Sequence, residues 1–255
     1  VIILIGGLGG GTASGGLPVL ASELTEIYEI PVYAMGIIPS DDEGKLREIN
    51  TARSLKTLSK SADNTILADN SIWRQTDQTL RQWYERINTE IAKRFRLLFD
   101  AGEVGEIASE SVVDSSEIIN TLKKGNTAAI GYGETQTAST ETQSITNIKT
   151  ATHKALKSGL SISDNPQAKA GLVVVSGQPE KLSRKGVEKS RQITEDVIDS
   201  RKVRGGDFPQ TDTDKIKVLV LVSGLEKSNR LNHFLNKETQ KQSKDGPTSE
   251  EVFQH

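Results

Sequence analysis

The stretch Gly6-Gly7-Leu8-Gly9-Gly10-Gly11-Thr12-Ala13-Ser14-Gly15-Gly16 follows a β-type segment, residues 1–5, and precedes a helical pattern that begins near Leu17. Glycines allow the backbone to turn tightly and to bring its N–H groups against an anion. The N-terminus of the following helix adds roughly half a positive charge. Pro18 suits the first turn of that helix, where its missing N–H costs nothing. The stretch therefore predicts an α/β fold with a phosphate site after its first strand.

The glycine-rich stretch matches neither of the two common phosphate-binding patterns. A P-loop closes with Gly-Lys and then Ser or Thr, and no such triplet closes this one. The dinucleotide fingerprint fits poorly, because the stretch holds too many consecutive glycines and includes Thr12 and Ser14. A glycine-rich turn made only for close packing remains an alternative at this point.

The composition narrows the class of protein. The 255 residues carry a net charge of −2, which gives no reason to expect nucleic acid as a partner. There is no cysteine, so disulfides and thiolate chemistry are excluded, and the three histidines lack the spacing of a structural metal site. No signal peptide and no apolar run long enough to span a bilayer is recognised. We expect a cytoplasmic protein without direct membrane insertion.

Strands and helices alternate along the first part of the chain. Strands are predicted at residues 31–38 and 64–68, and helices at residues 17–28 and 45–60. Such alternation is typical of a parallel sheet covered by helices.

A long helix is predicted next, at residues 75–99. At ~1.5 Å per residue it would cross the whole molecule. Its apolar positions form one continuous stripe, Leu80, Tyr84, Ile87, Ile91, Phe95 and Leu98.

The rest of the chain predicts a second α+β unit. Residues 133–147 are rich in Thr, Gln and Ser and predict a mobile loop. The polar tail, residues 237–255, is predicted to be disordered. The strands of this unit are predicted at 128–132, 170–176, 202–206 and 218–223, and its helices at 150–159, 185–199 and 227–236. A further helix, 118–122, is predicted before this unit.

Three separated motifs resemble the tubulin/FtsZ superfamily, and most closely its archaeal tubulin-like CetZ proteins. The glycine-rich stretch resembles the superfamily's signature loop. Residues 111–122, SVVDSSEIINTL, look like the CetZ catalytic loop, and residues 203–209, VRGGDFP, match a further CetZ stretch. The resemblance covers nearly the whole chain except the tail. It implies a cytoskeletal GTPase that assembles head to tail with copies of itself, acts in cell shape or division, and meets unknown adaptors through its tail.

The resemblance also implies how the chain is divided. It places a partial GTP-binding domain at residues 1–75, a central helix at 76–101, and the catalytic loop with its helix at 102–125. A second α+β domain would follow at 126–236. Because the chain starts inside a strand, we expect earlier βα units, with another phosphate loop, in the natural protein.

A set of nucleotide-binding residues follows from the resemblance. Glu43 and Arg47 would contact ribose and phosphate, and Asn70 would hydrogen-bond guanine. Tyr84 would stack on the base, and Asn88, on the same helix face, would read its edge. Mg²⁺ is implied only through the phosphates of GTP or GDP. The residues implied to cradle phosphate are Gly10, Gly11, Thr12, Ala13, Ser14 and Gly15.

Each side chain in this set also has a simpler interpretation. Glu43 and Arg47 match an exposed i,i+4 ion pair. Tyr84 could be a core residue, and Asn88 a solvated one. Their joint agreement with one family pattern favours the nucleotide.

Asp114 and Glu117 are the predicted catalytic pair. They lie three residues apart at a helix N-terminus, so both carboxylates point the same way and can orient a water for phosphoryl transfer. The resemblance implies that this loop reaches the nucleotide of the next subunit, so that hydrolysis requires assembly. The same spacing is also that of a capping box, in which Asp114 caps the helix and Glu117 reaches back. Both can hold at once.

Two other functions remain as alternatives. A Rossmann-type NAD(P)-dependent oxidoreductase would use the glycines for pyrophosphate and Asp41 or Asp42 for ribose, yet it has no use for Asp114 and Glu117. A non-hydrolysing, nucleotide-binding scaffold is favoured by two departures from the family pattern. Ala13 stands where the family's Gly-Thr-Gly core has its second glycine, and Val112 stands where FtsZ and tubulins usually carry asparagine.

Overall fold

The computed structural model describes residues 1–75, 77–103, 113–137, 139–162, 167–226 and 228–234. Its strands form one seven-stranded mixed sheet, whose order across the sheet is β1-β2-β3-β4-β7-β5-β6. The strands are β1 (Ile2–Gly7), β2 (Val32–Ile38), β3 (Asn64–Asp69), β4 (Thr127–Gln136), β5 (Gln167–Gly177), β6 (Val203–Pro209) and β7 (Lys215–Glu226).

The two parts of the sheet differ in direction. Strands β1, β2 and β3 are parallel over their full lengths, as the alternating pattern predicts. In the second part β7 runs antiparallel to both β4 and β5, and β5 is parallel to β6. In the described residues, the strands of the two parts pair where Thr65 and Ile66 of β3 lie beside Thr127 and Ala128 of β4. The division into domains stays a prediction, since this short pairing joins them in one sheet.

Helices cover both faces of the sheet. On one face α1, α2, α5 and α6 share an aliphatic core, and on the other face α3 and α4 pack over the same strands. The helices are α1 (Gly11–Ile27), α2 (Lys45–Ser61), α3 (Leu80–Glu103), α4 (Ser115–Leu122), α5 (Glu141–Leu156) and α6 (Arg184–Ile198). Among the residues described, no helix combines the length and apolarity needed to cross a membrane.

Helix α1 begins earlier than the sequence predicts. It starts at Gly11, inside the glycine-rich stretch, so Pro18 lies in the helix interior and not in its first turn. Glycine and proline both disfavour a helix interior. Packing overrides that preference, because Leu17 and Pro18 are buried together with Ala21 one turn later.

The mobile loop predicted at residues 133–147 is wrong. Strand β4 continues to Gln136, and α5 begins at Glu141 after the N-cap Thr140. Long pairing with β7 carries the strand through this polar sequence. The strand and helix lie so close that a Cβ on Gly133 would stand 2.1 Å from the Ala151 carbonyl oxygen. Small and polar side chains there permit a close contact, which a count of apolar residues misses.

Helix α3 is fixed to the second part of the sheet by a buried cation. Arg94 is 2% exposed, pairs with Glu90 at 2.9 Å, and donates to the carbonyl oxygen of Gly159 at 2.6 Å. Its guanidinium also lies over the rings of Trp73 and Tyr132. A buried charge needs such partners, so α3 has a defined position relative to both parts of the sheet.

The end of the chain is described only in part. Residues 229–234 are helical, as predicted within the segment 227–236. Residues 104–112, which include Val112, and residues 235–255, which include the predicted tail, lie outside the described residues.

Candidate functional site

A cleft of about 190 Å³ opens where strands β1, β2 and β3 end. Parallel strands deliver their following loops to one edge of the sheet, where α/β folds place ligands. The start of α3 closes the cleft from the other side. Its lining residues are Gly7, Gly9, Gly10, Ile37, Pro39, Glu43, Arg47, Asn70, Tyr84, Ile87 and Asn88.

The glycines of the cleft leave their backbone open. A Cβ added to Gly7, Gly10, Gly11 or Gly15 would meet no atom within 4 Å. By contrast, a Cβ on Gly6 would come within 2.8 Å of Ala13 and Leu17. The packing interpretation therefore holds for Gly6 and for the buried Gly9, where a Cβ would stand 3.0 Å from Arg47 Cβ, whereas Gly7, Gly10, Gly11 and Gly15 leave space that a ligand can fill.

The N-terminus of α1 is prepared for an anion. Gly10 is its N-cap, no side chain caps it, and no acidic residue stands in its first turn. Its first amides therefore retain their positive electrostatic character. Thr12 is exposed in this turn. The hydroxyl of Ser14 donates to the Leu8 carbonyl oxygen, which assigns it to holding the loop in place.

The methyl group of Ala13 does not occupy the open side of the loop. Its Cβ faces β1, at 2.8 Å from the position that a Cβ on Gly6 would take. This departure from the family pattern is therefore compatible with a ligand at the α1 N-terminus.

Glu43 is the centre of a hydrogen-bond network at the cleft wall. It lies in the 3-10 turn Asp41–Glu43, where its carboxylate accepts from the Ser40 amide at 2.9 Å in a complete capping box. It also pairs with Arg47 and accepts from Asn70 Nδ2 at 3.3 Å. The ion pair predicted from the sequence is present, and it belongs to the cleft.

Asn70 retains an unused hydrogen-bond acceptor. The residue is 8% exposed, and its Oδ1 atom has no partner among the residues described. A buried acceptor without a partner is costly unless a ligand satisfies it. Guanine presents N–H donors on its pairing edge, and they match this atom.

Tyr84 and Asn88 lie on the cleft side of α3. Both are exposed, and the Tyr84 ring is 44% accessible and stacked on Trp83 at 5.3 Å between ring centroids. The core interpretation of Tyr84 is therefore wrong. The open glycine backbone, the exposed ring and the unpaired Asn70 acceptor together fit phosphate, base plane and base edge of a guanine nucleotide.

Asp114 and Glu117 lie at the N-terminus of α4. Asp114 is the N-cap and accepts from the Glu117 amide at 2.9 Å and from the Ser116 hydroxyl at 2.6 Å. The Ser116 hydroxyl, the Glu117 amide and Arg204 together hold the pKa of Asp114 below its usual value. Glu117 does not complete the capping box. Its carboxylate pairs with Arg204 of β6 at 3.1 Å.

The cleft and the two carboxylates lie at opposite ends of α3. Tyr84 is one turn from the start of the helix, and Gly102, which packs against Ser115 and Ile118 of α4, is at its end. The 18 helical steps from Tyr84 to Gly102 span about 27 Å at ~1.5 Å per residue. Asp114 therefore cannot reach the cleft of its own chain.

A second network beside the cleft has no signal in the sequence. Arg230 pairs with Asp41 and with the buried Asp69, which lie 189 and 161 residues earlier. Asp42 pairs with Arg74. An oxidoreductase would use Asp41 or Asp42 to bind ribose. In this structure each of the two carboxylates instead forms an ion pair with an arginine.

His233 lies beside two carboxylates that are distant from it in the sequence. His233 Nε2 lies 3.6 Å from Glu48, and ligand atoms of Asp41, Glu48 and His233 lie within 4.8 Å of one another. Arg230 already pairs with Asp41, which places a positive charge beside this group.

Family comparisons cover both parts of the chain. Residues 1–78 match the model of the tubulin/FtsZ family GTPase domain, and residues 77–240 match that of the C-terminal domain of tubulin-like CetZ. The tubulin-like protein CetZ2 of Haloferax volcanii is 43% identical over 236 residues, covering 92% of this chain and 65% of the relative. The chain thus spans slightly less than two thirds of the length of that relative.

Solved structures agree with this match. One is CetZ2 from Haloferax volcanii as a GTPγS-bound protofilament, with a TM-score of 0.87 and 41% identity over 95% of this chain and 70% of that one. Another is CetZ1 from the same organism as a GDP-bound monomer, with a TM-score of 0.85 and 38% identity over 94% and 69%. Fold, cleft and comparisons lead to one conclusion: the chain belongs to the tubulin-like CetZ family of the tubulin/FtsZ superfamily.

Proposed function

We propose that this chain is part of an assembling GTPase whose hydrolytic site is completed by the next subunit. The observation that carries the proposal is the separation of the cleft from Asp114 and Glu117 by most of α3, about 27 Å. Head-to-tail stacking removes that separation, because it sets the α4 end of one subunit against the cleft of its neighbour. The GTPγS-bound protofilament of CetZ2 from Haloferax volcanii supports assembly with bound nucleotide.

The cleft residues divide the nucleotide between them. The phosphates lie at the α1 N-terminus, held by the amides of Gly10, Gly11 and Thr12. Arg47, fixed by Glu43, adds a cation at the phosphate or ribose. Asn70 accepts from the guanine edge while Tyr84 stacks on the base and Asn88 contacts its rim. Mg²⁺ bound with the nucleotide would supply positive charge that offsets the negative charge of the phosphates.

Asp114 carries the chemical step from the neighbouring subunit. Phosphoryl transfer to water needs a positioned nucleophile and no covalent intermediate. The Asp114 carboxylate, kept ionised by Ser116 and the Glu117 amide, accepts a hydrogen bond from the water and orients it. Glu117 adds a second carboxylate beside it. The water oxygen bonds to the γ-phosphorus as the bond to the β–γ bridging oxygen breaks, so inorganic phosphate and a proton are released and GDP stays in the cleft of the first subunit.

The cellular role follows from assembly. A polymer of this kind acts in the cytoplasm in cell shape or division, with adaptors that meet its tail. Membership of the CetZ family leaves no place for the oxidoreductase alternative. The non-hydrolysing scaffold remains the competing proposal.

The test is GTP turnover per molecule of the full-length natural protein, measured against protein concentration. We expect turnover near zero when the protein is dilute and a rise above a critical concentration. Turnover that is independent of concentration would place all catalytic groups in one subunit and reject the proposal. GTP binding without turnover at any concentration would favour the scaffold.

A further inference from the structure

We infer that Arg230, near the end of the described chain, is a positioning residue for the guanine-binding side of the cleft. The inference rests on the proposed function, and it adds a residue that lies outside the nucleotide-contacting set. Through Arg230, the segment that follows β7 sets how tightly and how selectively the cleft holds its nucleotide.

Arg230 joins the two loops that carry the base- and ribose-facing side chains. Its Nε donates at 2.8 Å to Oδ2 of Asp69, the last residue of strand β3. Its Nη2 donates to the Pro39 carbonyl oxygen at 2.7 Å, directly after strand β2, and its Nη1 pairs with Asp41. The guanidinium also lies over the Phe234 ring, 4.9 Å from its centroid. All three nitrogens of the guanidinium thus make a polar contact, and one of its faces lies against an aromatic ring.

Asp69 transmits this contact to Asn70. Asp69 is fully buried, and its other oxygen, Oδ1, accepts from the Ser71 amide at 2.9 Å and the Ser71 hydroxyl at 2.6 Å. These bonds cap the 3-10 turn Asn70–Trp73. The orientation of Asn70 therefore depends on a carboxylate whose second oxygen is held by Arg230.

Asp41 transmits the contact to Glu43. Asp41 begins the 3-10 turn that Glu43 ends, and Arg230 holds both Asp41 and the Pro39 carbonyl oxygen before it. Glu43 in turn receives Asn70 Nδ2 at 3.3 Å. The two routes from Arg230 converge on the Asn70 amide, so its free Oδ1 is aimed by both.

The experiment measures the dissociation rate of fluorescently labelled GDP and the relative affinity for GDP and inosine diphosphate, which lacks the exocyclic amino group. It uses the full-length protein as monomer, at a temperature well below unfolding. For Arg230→Met we expect dissociation to be faster by on the order of tenfold, because small displacements of binding groups are costly. We also expect the preference for GDP over inosine diphosphate to weaken.

Two milder variants keep the test decisive if Arg230→Met, which leaves the buried Asp69 without its counter-charge, fails to fold. Arg230→Lys keeps the charge but loses the fork, and Asp41→Asn removes one partner on the surface, where Asp41 is 75% exposed in its side chain. Both should accelerate dissociation less than Arg230→Met. Arg191→Met is the matched control, since Arg191 pairs with Glu188 and Glu195 on α6 away from the cleft.

The outcomes separate this inference from the proposed function. If the unaltered protein binds no guanine nucleotide, the proposed function fails. If it binds GDP, and the Arg230 and Asp41 variants keep its dissociation rate and base preference while only thermal stability changes, Arg230 is structural and the inference is overturned.

Discussion

The cleft at the start of α3 and the carboxylate pair at its far end differ in how many parts of the chain form them. The cleft draws residues from several loops, and Glu43, Asn70 and Arg230 hold those loops in one network. The carboxylate pair comes from one helix N-terminus, Asp114 to Glu117, and Asp114 is exposed. The first site is preorganised and keeps an unpaired acceptor, Asn70 Oδ1. The second is local and accessible, as expected of a group that acts on a neighbouring subunit.

The largest effect should come from removing the charge at the exposed end. Asp114→Asn keeps an N-cap of similar quality but cannot polarise the water, so we expect polymer turnover to fall on the order of 10²–10⁴-fold. Measurements of GTP affinity and thermal unfolding should change little. Asp114→Ala, which also loses the cap, separates the two roles: it should add a loss of about 1 kcal/mol in stability. Unchanged turnover in Asp114→Asn would remove Asp114 from the chemistry.

A substitution in the cleft should lower the affinity for GTP. Asn70→Leu removes the free acceptor and leaves the guanine donors unpaired, so we expect GTP affinity to fall about 10- to 100-fold, for a loss of ~1–3 kcal/mol. The preference for GTP over ATP, measured by competition, should fall with it. Asn147→Leu is the control amide, since its Nδ2 bonds the Gln136 carbonyl oxygen away from the cleft. Equal effects of the two changes would contradict the assignment of Asn70.

A smaller effect is expected when the pKa of Asp114 is changed without removing its carboxylate. The Ser116 hydroxyl is the largest contributor to the lowered pKa of Asp114. Ser116→Ala should therefore raise that pKa, and the loss of turnover on acidification should begin at a higher pH. At pH 7 turnover should change by less than about threefold, because Asp114 stays ionised in both proteins. A pH–rate profile of the assembled protein checks this, and an acid limb that moves downward would contradict it.

The smallest effect should be at Ala13. Since its methyl group packs towards Gly6 and not into the open loop, Ala13→Gly should leave GTP affinity within about twofold. It should lower the free energy of unfolding by about 1 kcal/mol, the usual difference between alanine and glycine in a helix. A large gain in GTP affinity would mean that the methyl group obstructs the nucleotide and would contradict this placement of Ala13.

The sequence was sufficient where the signal was local. Alternating apolar patterns predicted β1 to β3 and α2, and Asp114 as N-cap followed from one helix start. The start of α1 was predicted too late, because the glycines have a low helix propensity. Helix propensity does not include the burial of Leu17 and Ala21, which stabilises the helix. The helix predicted at 150–159 begins earlier, at Glu141, because the polar first part of α5 was read as a loop. The contact of α5 with β4 depends on Gly133.

The networks between distant residues could not be predicted. Arg230 meets Asp69 and Asp41 across more than 160 positions, and no periodicity records such a pair. The reach of Glu117 to Arg204 of β6 competes with the capping box that its spacing predicts. Long-range ion pairs depend on how strands are ordered in the sheet, and that order follows from the packing of the whole chain.

The most direct measurement mixes two impaired variants of the full-length protein, Asp114→Asn and Asn70→Leu, at a GTP concentration that Asn70→Leu binds poorly, and follows GTP hydrolysis together with co-assembly. The first variant binds GTP without supplying the carboxylate, and the second supplies the carboxylate without binding GTP well. If the site is shared between subunits, mixed polymers should recover turnover well above either variant alone. Co-assembly without any recovery would mean that the cleft and Asp114 do not meet across the interface, and would contradict the account.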